Sequence, residues 1–78
     1  MPEMTHVFSS HVAKRGYDPQ TGELHIEWQN GTVTVYGDAD HPVPAALGAE
    51  VMAAPSIGDA LHLAIRGRFP HRTERGDG

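Results

Sequence analysis

The chain has 78 residues, a formal net charge of −4 and no cysteine. Its fifteen Leu, Ile, Val and Phe side chains suffice for one small domain with a thin core, which excludes a large multidomain enzyme. The lack of cysteine excludes disulfides, thiolate zinc sites and cysteine nucleophiles. Because so small a core stabilises an isolated domain only weakly, we expect a homo-oligomer.

Charge is divided unevenly along the chain. Residues 1–59 carry eight acidic side chains against two basic ones, whereas residues 60–78 carry four arginines against two acids. The apolar stretches are far shorter than the ~20 residues of a membrane-spanning helix. Residues 1–5 lack the basic and apolar regions of a signal peptide. We therefore expect a cytoplasmic protein whose basic region is its C-terminal end.

The clearest structural signal is a β-hairpin. Residues 24–29 and 32–36 both alternate with period two, and Asn30-Gly31 between them is the favoured pair for a two-residue type I′ turn. The register that follows from this turn places all the apolar side chains of the hairpin on one face. These side chains are Leu24, Ile26, Trp28, Val33 and Val35, and the opposite face carries Glu27, Gln29, Thr32 and Thr34.

A third strand is predicted before the hairpin. Turn-forming residues at 18–22 allow residues 10–17 to run antiparallel to it, which makes a three-stranded meander. In a regular strand Val12 and Arg15 would point to opposite faces of the sheet. A β-bulge between them would switch the face and bring both side chains to the same side. We expect Lys14 to lie opposite Glu27.

Two helices are predicted after the strands. Pro44 suits the first turn of a helix that ends near Ala54, because Pro55 stops it. Ser56 is the predicted N-cap of the second helix. The apolar stripe of that helix consists of Ile57, Leu61 and Ile65.

Together these elements predict an α+β domain over residues 7–72. It consists of a three-stranded antiparallel β-meander followed by two α-helices packed on one face. A flexible N-terminus (residues 1–6) and a disordered C-terminal tail (residues 73–78) are expected on either side, because the tail has no apolar residue.

A series of short motifs follows in order along residues 8–72. They are Ser9-Ser10-x-Val12, Gly16-Tyr17-Asp18, Leu24-x-Ile26-x-Trp28, Asn30-Gly31, Tyr36, Leu47, Ala54-Pro55-Ser56-x-Gly58 and Ile65-x-Gly67-x-Phe69. In order and spacing they resemble the KTSC domain family, which is named for a C-terminal extension of some lysyl-tRNA synthetases and also occurs as short proteins of bacteria and phages. No enzymatic activity is implied by the resemblance.

The sequence departs from the family pattern at the second helix. Asp59 stands where the family usually carries a lysine, and Leu61 and His62 stand where it has an aromatic residue and an asparagine. Asp59 removes positive charge from the helix best suited to meet a phosphate backbone. This departure argues against transferring an RNA-binding role from the synthetase context.

Two candidate sites follow from the residues. Residues 66–72 interleave arginines with one aromatic ring, a pattern typical of surfaces that contact nucleic acid or a partner. The candidate contact residues are Lys14, Arg15, Arg66, Arg68, Phe69 and Arg72. Free backbone N–H groups at the second helix predict an anion pocket at Ser56 and Gly58. The alternative is an ordinary capped helix whose donors are satisfied by Asp59.

The histidines and serines do not form a recognisable catalytic or metal motif. His6 and His11 are five residues apart, and no histidine pair has helical metal-ligand spacing. Ser9 and Ser10 lie near His11, but adjacent strand residues point to opposite faces. We therefore expect no catalytic residues, no metal and no cofactor.

The leading hypothesis is a non-enzymatic interaction module that self-associates and binds a host or phage protein. If the protein is phage-encoded, its expected location is the host cytoplasm. The alternative is an RNA- or DNA-binding accessory domain that uses the C-terminal arginine segment. The eight acids of residues 1–59 repel a polyanion, which favours the protein partner.

Overall fold

Five antiparallel strands form one sheet in the order β1-β2-β3-β4-β5. The structure is a computed structural model that describes residues 3–75. The strands are β1 (Thr5–His6), β2 (Val12–Asp18), β3 (Glu23–Trp28), β4 (Thr32–Tyr36) and β5 (His71–Arg75). Helices α1 (Ala45–Ala53) and α2 (Ile57–Ala60) lie between β4 and β5, and α2 continues into a π-helical turn, Leu61–Ile65. The α+β class is confirmed, but the sheet has five strands rather than three.

The two additional strands lie wholly or partly in the segments expected to be flexible, residues 1–6 and 73–78. β1 is only two residues long, and β5 contains no apolar residue, so neither shows the alternation that marks a half-buried strand. β5 is held by backbone pairing along β4, from Tyr36↔His71 to Thr32↔Arg75. Residues 73–75 of the expected tail therefore belong to the sheet. Residues 1–2 and 76–78 lie outside the described residues.

The β3–β4 hairpin differs from the predicted register by one residue. Ile26 pairs with Thr34 rather than Val35, because the loop has three residues and not two. Gly31 has a φ of 90°, whereas no non-glycine residue from 3 to 75 has a positive φ. Asn30 instead accepts hydrogen bonds through Oδ1 from the backbone N and the Oγ1 of Thr32, at 3.0 and 2.7 Å. The turn is thus a glycine-bulge loop, and the type I′ prediction is wrong.

This register places the side chains of β4 on the faces opposite to those predicted. Val33 and Val35 lie on the face away from Ile26, and Thr34 lies on the face of Trp28. The indole Nε1 of Trp28 donates to Thr34 Oγ1 at 2.8 Å, which fits this arrangement. The alternation of apolar and polar residues in β4 is compatible with both the predicted and the observed register, because β4 is buried on both faces.

The bulge in β2 and the pairing of Lys14 with Glu27 are confirmed. The two helices pack on one face of the sheet, as predicted. The core between the helices and the sheet consists of Val12, Leu24, Ile26, Tyr36, Val43, Val51, Ile57, Leu61 and Ile65. Leu63 lies off this stripe and is 72% exposed. Within residues 3–75, no helix has the length and apolar character needed to cross a membrane.

Side chains of β2 attach α1 to the sheet. The guanidinium of Arg15 donates to the carbonyl oxygens of Val51 and Ala54, both at 2.9 Å, and so satisfies acceptors at the end of α1. A Cβ added at Gly48 would lie 2.7 Å from the ring of Tyr17, so this helix approaches β2 closely only because the position is glycine.

The opposite face of the sheet carries a polar cluster beside buried valines. Val33 and Val35 are buried there. Glu23 accepts from Arg72 Nη2 at 3.0 Å and contacts His25 Nε2 at 3.2 Å. Burial acts to raise the pKa of Glu23, but the hydrogen bonds and charges of Arg72 and His25 hold it below the ordinary value. On this face, side chains of the sheet itself therefore cover Val33 and Val35.

Candidate functional site

The structure separates the predicted contact residues. Arg15 lies beneath α1, and Arg72 lies on the opposite sheet face with Glu23. Lys14 is paired with Glu27 along the strands. Arg66 and Arg68 are exposed beyond the π-helical turn, and Phe69 packs against the core. The residues are thus distributed over both faces, and they do not form one continuous basic patch.

The predicted anion pocket is an ordinary helix cap. Ser56 Oγ accepts a hydrogen bond from the backbone N of Asp59 at 3.4 Å, as the N-cap prediction requires. The capping hydroxyl thus serves the helix itself. Gly58 has open space where a side chain would project, and it lines a neighbouring cavity.

Two cavities meet at Trp28 and Arg66. One is about 350 Å³, and its other walls include Thr34, Tyr36, His71 and Thr73. The second is about 340 Å³, and its other walls include Ser9, His11, Gly58 and Leu61. We call this pair of cavities, which share Trp28 and Arg66, the Trp28 groove.

Distant parts of the chain position the groove residues. Trp28 ends β3, and its hydrogen bond to Thr34 on β4 fixes the indole. The backbone N of Arg66 donates to Leu61 O at 2.8 Å, which closes the π-helical turn. Gly67 then has a φ of 78°, a conformation suited to glycine, and redirects the chain towards β5. The cavity that includes His71 and Thr73 therefore forms only when β5 joins the sheet.

The charge of the groove contrasts with the acidic chain around it. Neither cavity has an acidic lining residue. Arg66 supplies a permanent positive charge and makes no ion pair with any other residue from 3 to 75. The arrangement can bind one carboxylate or phosphate beside the apolar surface of Trp28.

The hydroxyl groups of the groove serve structural contacts. Ser9 Oγ accepts from the backbone N atoms of His11 and Val12, each at 3.2 Å. Thr34 Oγ1 accepts from Trp28. Residues 3–75 contain no group of three His, Cys, Asp or Glu side chains placed to hold a metal ion.

A larger cavity of about 640 Å³ lies between the β2–β3 turn and the loop before α1. Two of the polar side chains that line it, those of Tyr17 and Glu23, are already bonded within the protein. Tyr17 donates its hydroxyl proton to Val43 O, and burial together with the charge of Asp18 raises the pKa of this phenol. Glu23 is bonded to Arg72. None of its lining residues is a cation, whereas Arg66 lines the Trp28 groove.

Sequence reasoning identified Arg66 and Gly58 as candidate site residues but not the other residues of the groove. It assigned Trp28 to a wholly apolar face and Thr34 to the polar one. His71 and Thr73 were not singled out, because a polar edge strand has no hydrophobic alternation. Only the hairpin loop length could have revealed that Thr34 lies beside Trp28.

Comparisons with known proteins agree with this fold. The sequence profile described as the KTSC domain matches residues 8–69, which include Trp28 and Arg66. The crystal structure of a KTSC domain protein from Yersinia pestis aligns with a TM-score of 0.80 at 27% sequence identity, over 95% of this chain and 99% of that chain. Among curated proteins, none matches this chain. Because the profile covers most of its length, the chain belongs to the KTSC domain family.

Proposed function

We propose that this KTSC domain is a non-enzymatic interaction module that binds a host or phage protein through the Trp28 groove and associates with a second copy of itself. The supporting observation is the guanidinium of Arg66, which forms no ion pair within residues 3–75 and lies beside a fixed indole in a groove without acidic lining residues.

The groove chemistry suits a short acidic and apolar peptide segment. The planar guanidinium of Arg66 can form two parallel hydrogen bonds to one carboxylate. Trp28, which is only partly buried, supplies adjacent apolar surface for a neighbouring side chain of the peptide. One carboxylate next to one apolar residue is therefore the minimum ligand.

The distribution of cations favours a protein partner over nucleic acid. A phosphate backbone is held by several cations along its length. Here Arg15 donates to backbone carbonyls and Arg72 donates to Glu23, so two of the candidate cations already have partners in the fold. The net charge of −4 also repels a polyanion. The nucleic-acid function is the alternative that the experiment must distinguish.

The hydroxyls of the groove support the non-enzymatic assignment. Ser9 and Thr34 accept hydrogen bonds that fix a turn and the indole. Between residues 3 and 75, neither hydroxyl forms a hydrogen bond to a basic side chain such as that of His11, which is the contact that would activate it as a nucleophile.

The experiment is selection from a random peptide library, followed by titration of the selected peptides into the protein. Trp28 is the sole tryptophan of the chain, so its fluorescence reports binding directly. We expect acidic and apolar peptides to be enriched, and their affinity to fall about tenfold in Arg66→Gln, or about 1.4 kcal/mol. Arg68→Gln is the matched control, because Arg68 is exposed but lines neither cavity.

Single-stranded DNA of mixed sequence provides the competing probe. If the DNA binds more tightly than every selected peptide, and salt weakens it steeply, the nucleic-acid alternative replaces the proposal. Failure to enrich acidic peptides, or equal binding by wild type and Arg66→Gln, would contradict the role of the groove.

A further inference from the structure

We propose that β5 pairs antiparallel with β5 of a second copy, about a two-fold axis at Thr73. This inference rests on the self-association in the proposed function and assigns it to a specific surface. The paired strands would join the two sheets into one continuous sheet.

β5 is an open edge of the sheet. It pairs with β4 on one side and ends the strand order on the other. Its side chains from His71 to Glu74 are exposed. The other edge strand, β1, has only two residues and offers a much shorter pairing surface. Exposed strand edges carry unpaired N–H and C=O groups that can pair with another chain.

The β4–β5 register identifies the backbone groups that face outward. Gly37 and Pro70 are the pair that follows Tyr36 and His71 along the ladder. The backbone N of Gly37 donates to Pro70 O at 2.8 Å, so this is a hydrogen-bonded pair. Hydrogen-bonded and non-bonded pairs alternate along an antiparallel ladder. Arg72 and Glu74 therefore bond towards β4, whereas His71, Thr73 and Arg75 direct their N–H and C=O groups to the free edge.

The charge sequence of β5 selects the register of the dimer. An axis at Thr73 places Arg72 of each copy, whose Nη2 also bonds Glu23 of its own chain, opposite Glu74 of the other, at a non-bonded position where side chains come close. An axis at Arg72 would set two arginines opposite each other, and an axis at Glu74 would set two glutamates opposite each other. Only the axis at Thr73 pairs opposite charges while also matching the outward backbone groups.

The dimer would also bring the two binding grooves together. His71 and Thr73 line the Trp28 groove and lie on the strand that forms the interface. The two grooves therefore lie on the same face of the joined sheet, one on each side of the axis. A partner with two acidic segments could bind both grooves at once.

The first test measures molar mass by light scattering from micromolar to millimolar concentration. Wild type should rise from 8.4 kDa towards twice that mass. Thr73→Pro should remain monomeric, because proline lacks the N–H at the axis and this N–H is not used in pairing with β4. Thr73→Val keeps the N–H and should dimerise like wild type. Circular dichroism checks that each variant is folded.

The outcomes separate this inference from the proposed function. A folded Thr73→Pro that dimerises like wild type would show that the copies meet through another surface, leaving the proposed self-association in place. Wild type that stays at 8.4 kDa even at millimolar concentration would refute both the β5 interface and the self-association.

A charge exchange tests the register without proline. In a dimer of Glu74→Lys, Arg72 of each copy opposes the new lysine of the other. In a dimer of Arg72→Glu, the new glutamate of each copy opposes Glu74 of the other. Each variant alone should therefore dimerise several-fold more weakly than wild type. Mixing the two restores an attractive pair at both positions and should recover the doubled mass. A mixture of folded variants that stays monomeric would refute the axis at Thr73.

Discussion

Replacing Thr34 with valine tests the hairpin register and the groove together. Thr34 is buried, and its Oγ1 accepts the indole N–H of Trp28 at 2.8 Å. Valine keeps nearly the same shape but cannot accept this hydrogen bond. The predicted register would instead place Thr34 on the polar face, where loss of its hydroxyl would have little effect.

The expected cost follows from the environment of the donor. A hydrogen bond between neutral groups contributes about 0.5–1.5 kcal/mol net, and a buried donor left unpaired costs about 1–3 kcal/mol. Trp28 is only partly buried and borders the groove, where water can replace part of the lost bond. We therefore expect Thr34→Val to lower the free energy of unfolding by about 1 kcal/mol, which corresponds to a melting temperature lower by about 4–8 °C at this chain length.

Urea unfolding monitored by Trp28 fluorescence measures the change. Thr73→Val is the matched control, because Thr73 also lines the groove but is exposed and forms no hydrogen bond with Trp28 in the described residues. If Thr34→Val and Thr73→Val have the same stability, the hydrogen bond and the register that creates it are wrong.

Three further substitutions test other parts of the fold. Gly48→Ala should destabilise by about 1–3 kcal/mol, measured by urea unfolding, because its Cβ would overlap the ring of Tyr17. Gly31→Ala should cost about 1 kcal/mol through its φ of 90° alone, since nothing lies within 4 Å of the added Cβ; an unchanged midpoint would contradict the loop geometry. Glu23 has a folded pKa below the ordinary 4.5, so its contribution is present above that pH and is lost as pH falls through the folded pKa. Glu23→Gln should therefore lose less than about 1 kcal/mol at neutral pH and show a shallower loss of stability below pH 4.5 in acid titration by circular dichroism.

Features that depend on neighbouring residues followed directly from the sequence. Ser56 caps α2 and Pro55 precedes it, because a side-chain acceptor and a missing N–H act within a few residues. The stripe at Ile57, Leu61 and Ile65 is buried as predicted, even though the second half of this segment is π-helical. Residues four apart still share enough of one face for the pattern to hold.

The hairpin shows where local reasoning failed. Asn30 and Gly31 were correctly placed in a turn, but the loop has one residue more than predicted. An error of one residue exchanges the faces of a strand, since successive side chains point in opposite directions. The alternation in β4 gave no warning, because tertiary packing buries Val33 and Val35 as well as Tyr36.

The sequence by itself determined the α+β class, the positions of three central strands and two helices, and the KTSC resemblance, all of which rest on patterns within short windows or in fixed order. Only the tertiary structure decided that β5 joins the sheet and that Trp28, Thr34 and Arg66 meet in one groove. Their meeting depends on the loop length, on the π-helical turn and on backbone pairing of a polar strand. Backbone hydrogen bonds form almost independently of the residue type, so the sequence of β5 gives little indication that this strand pairs with β4.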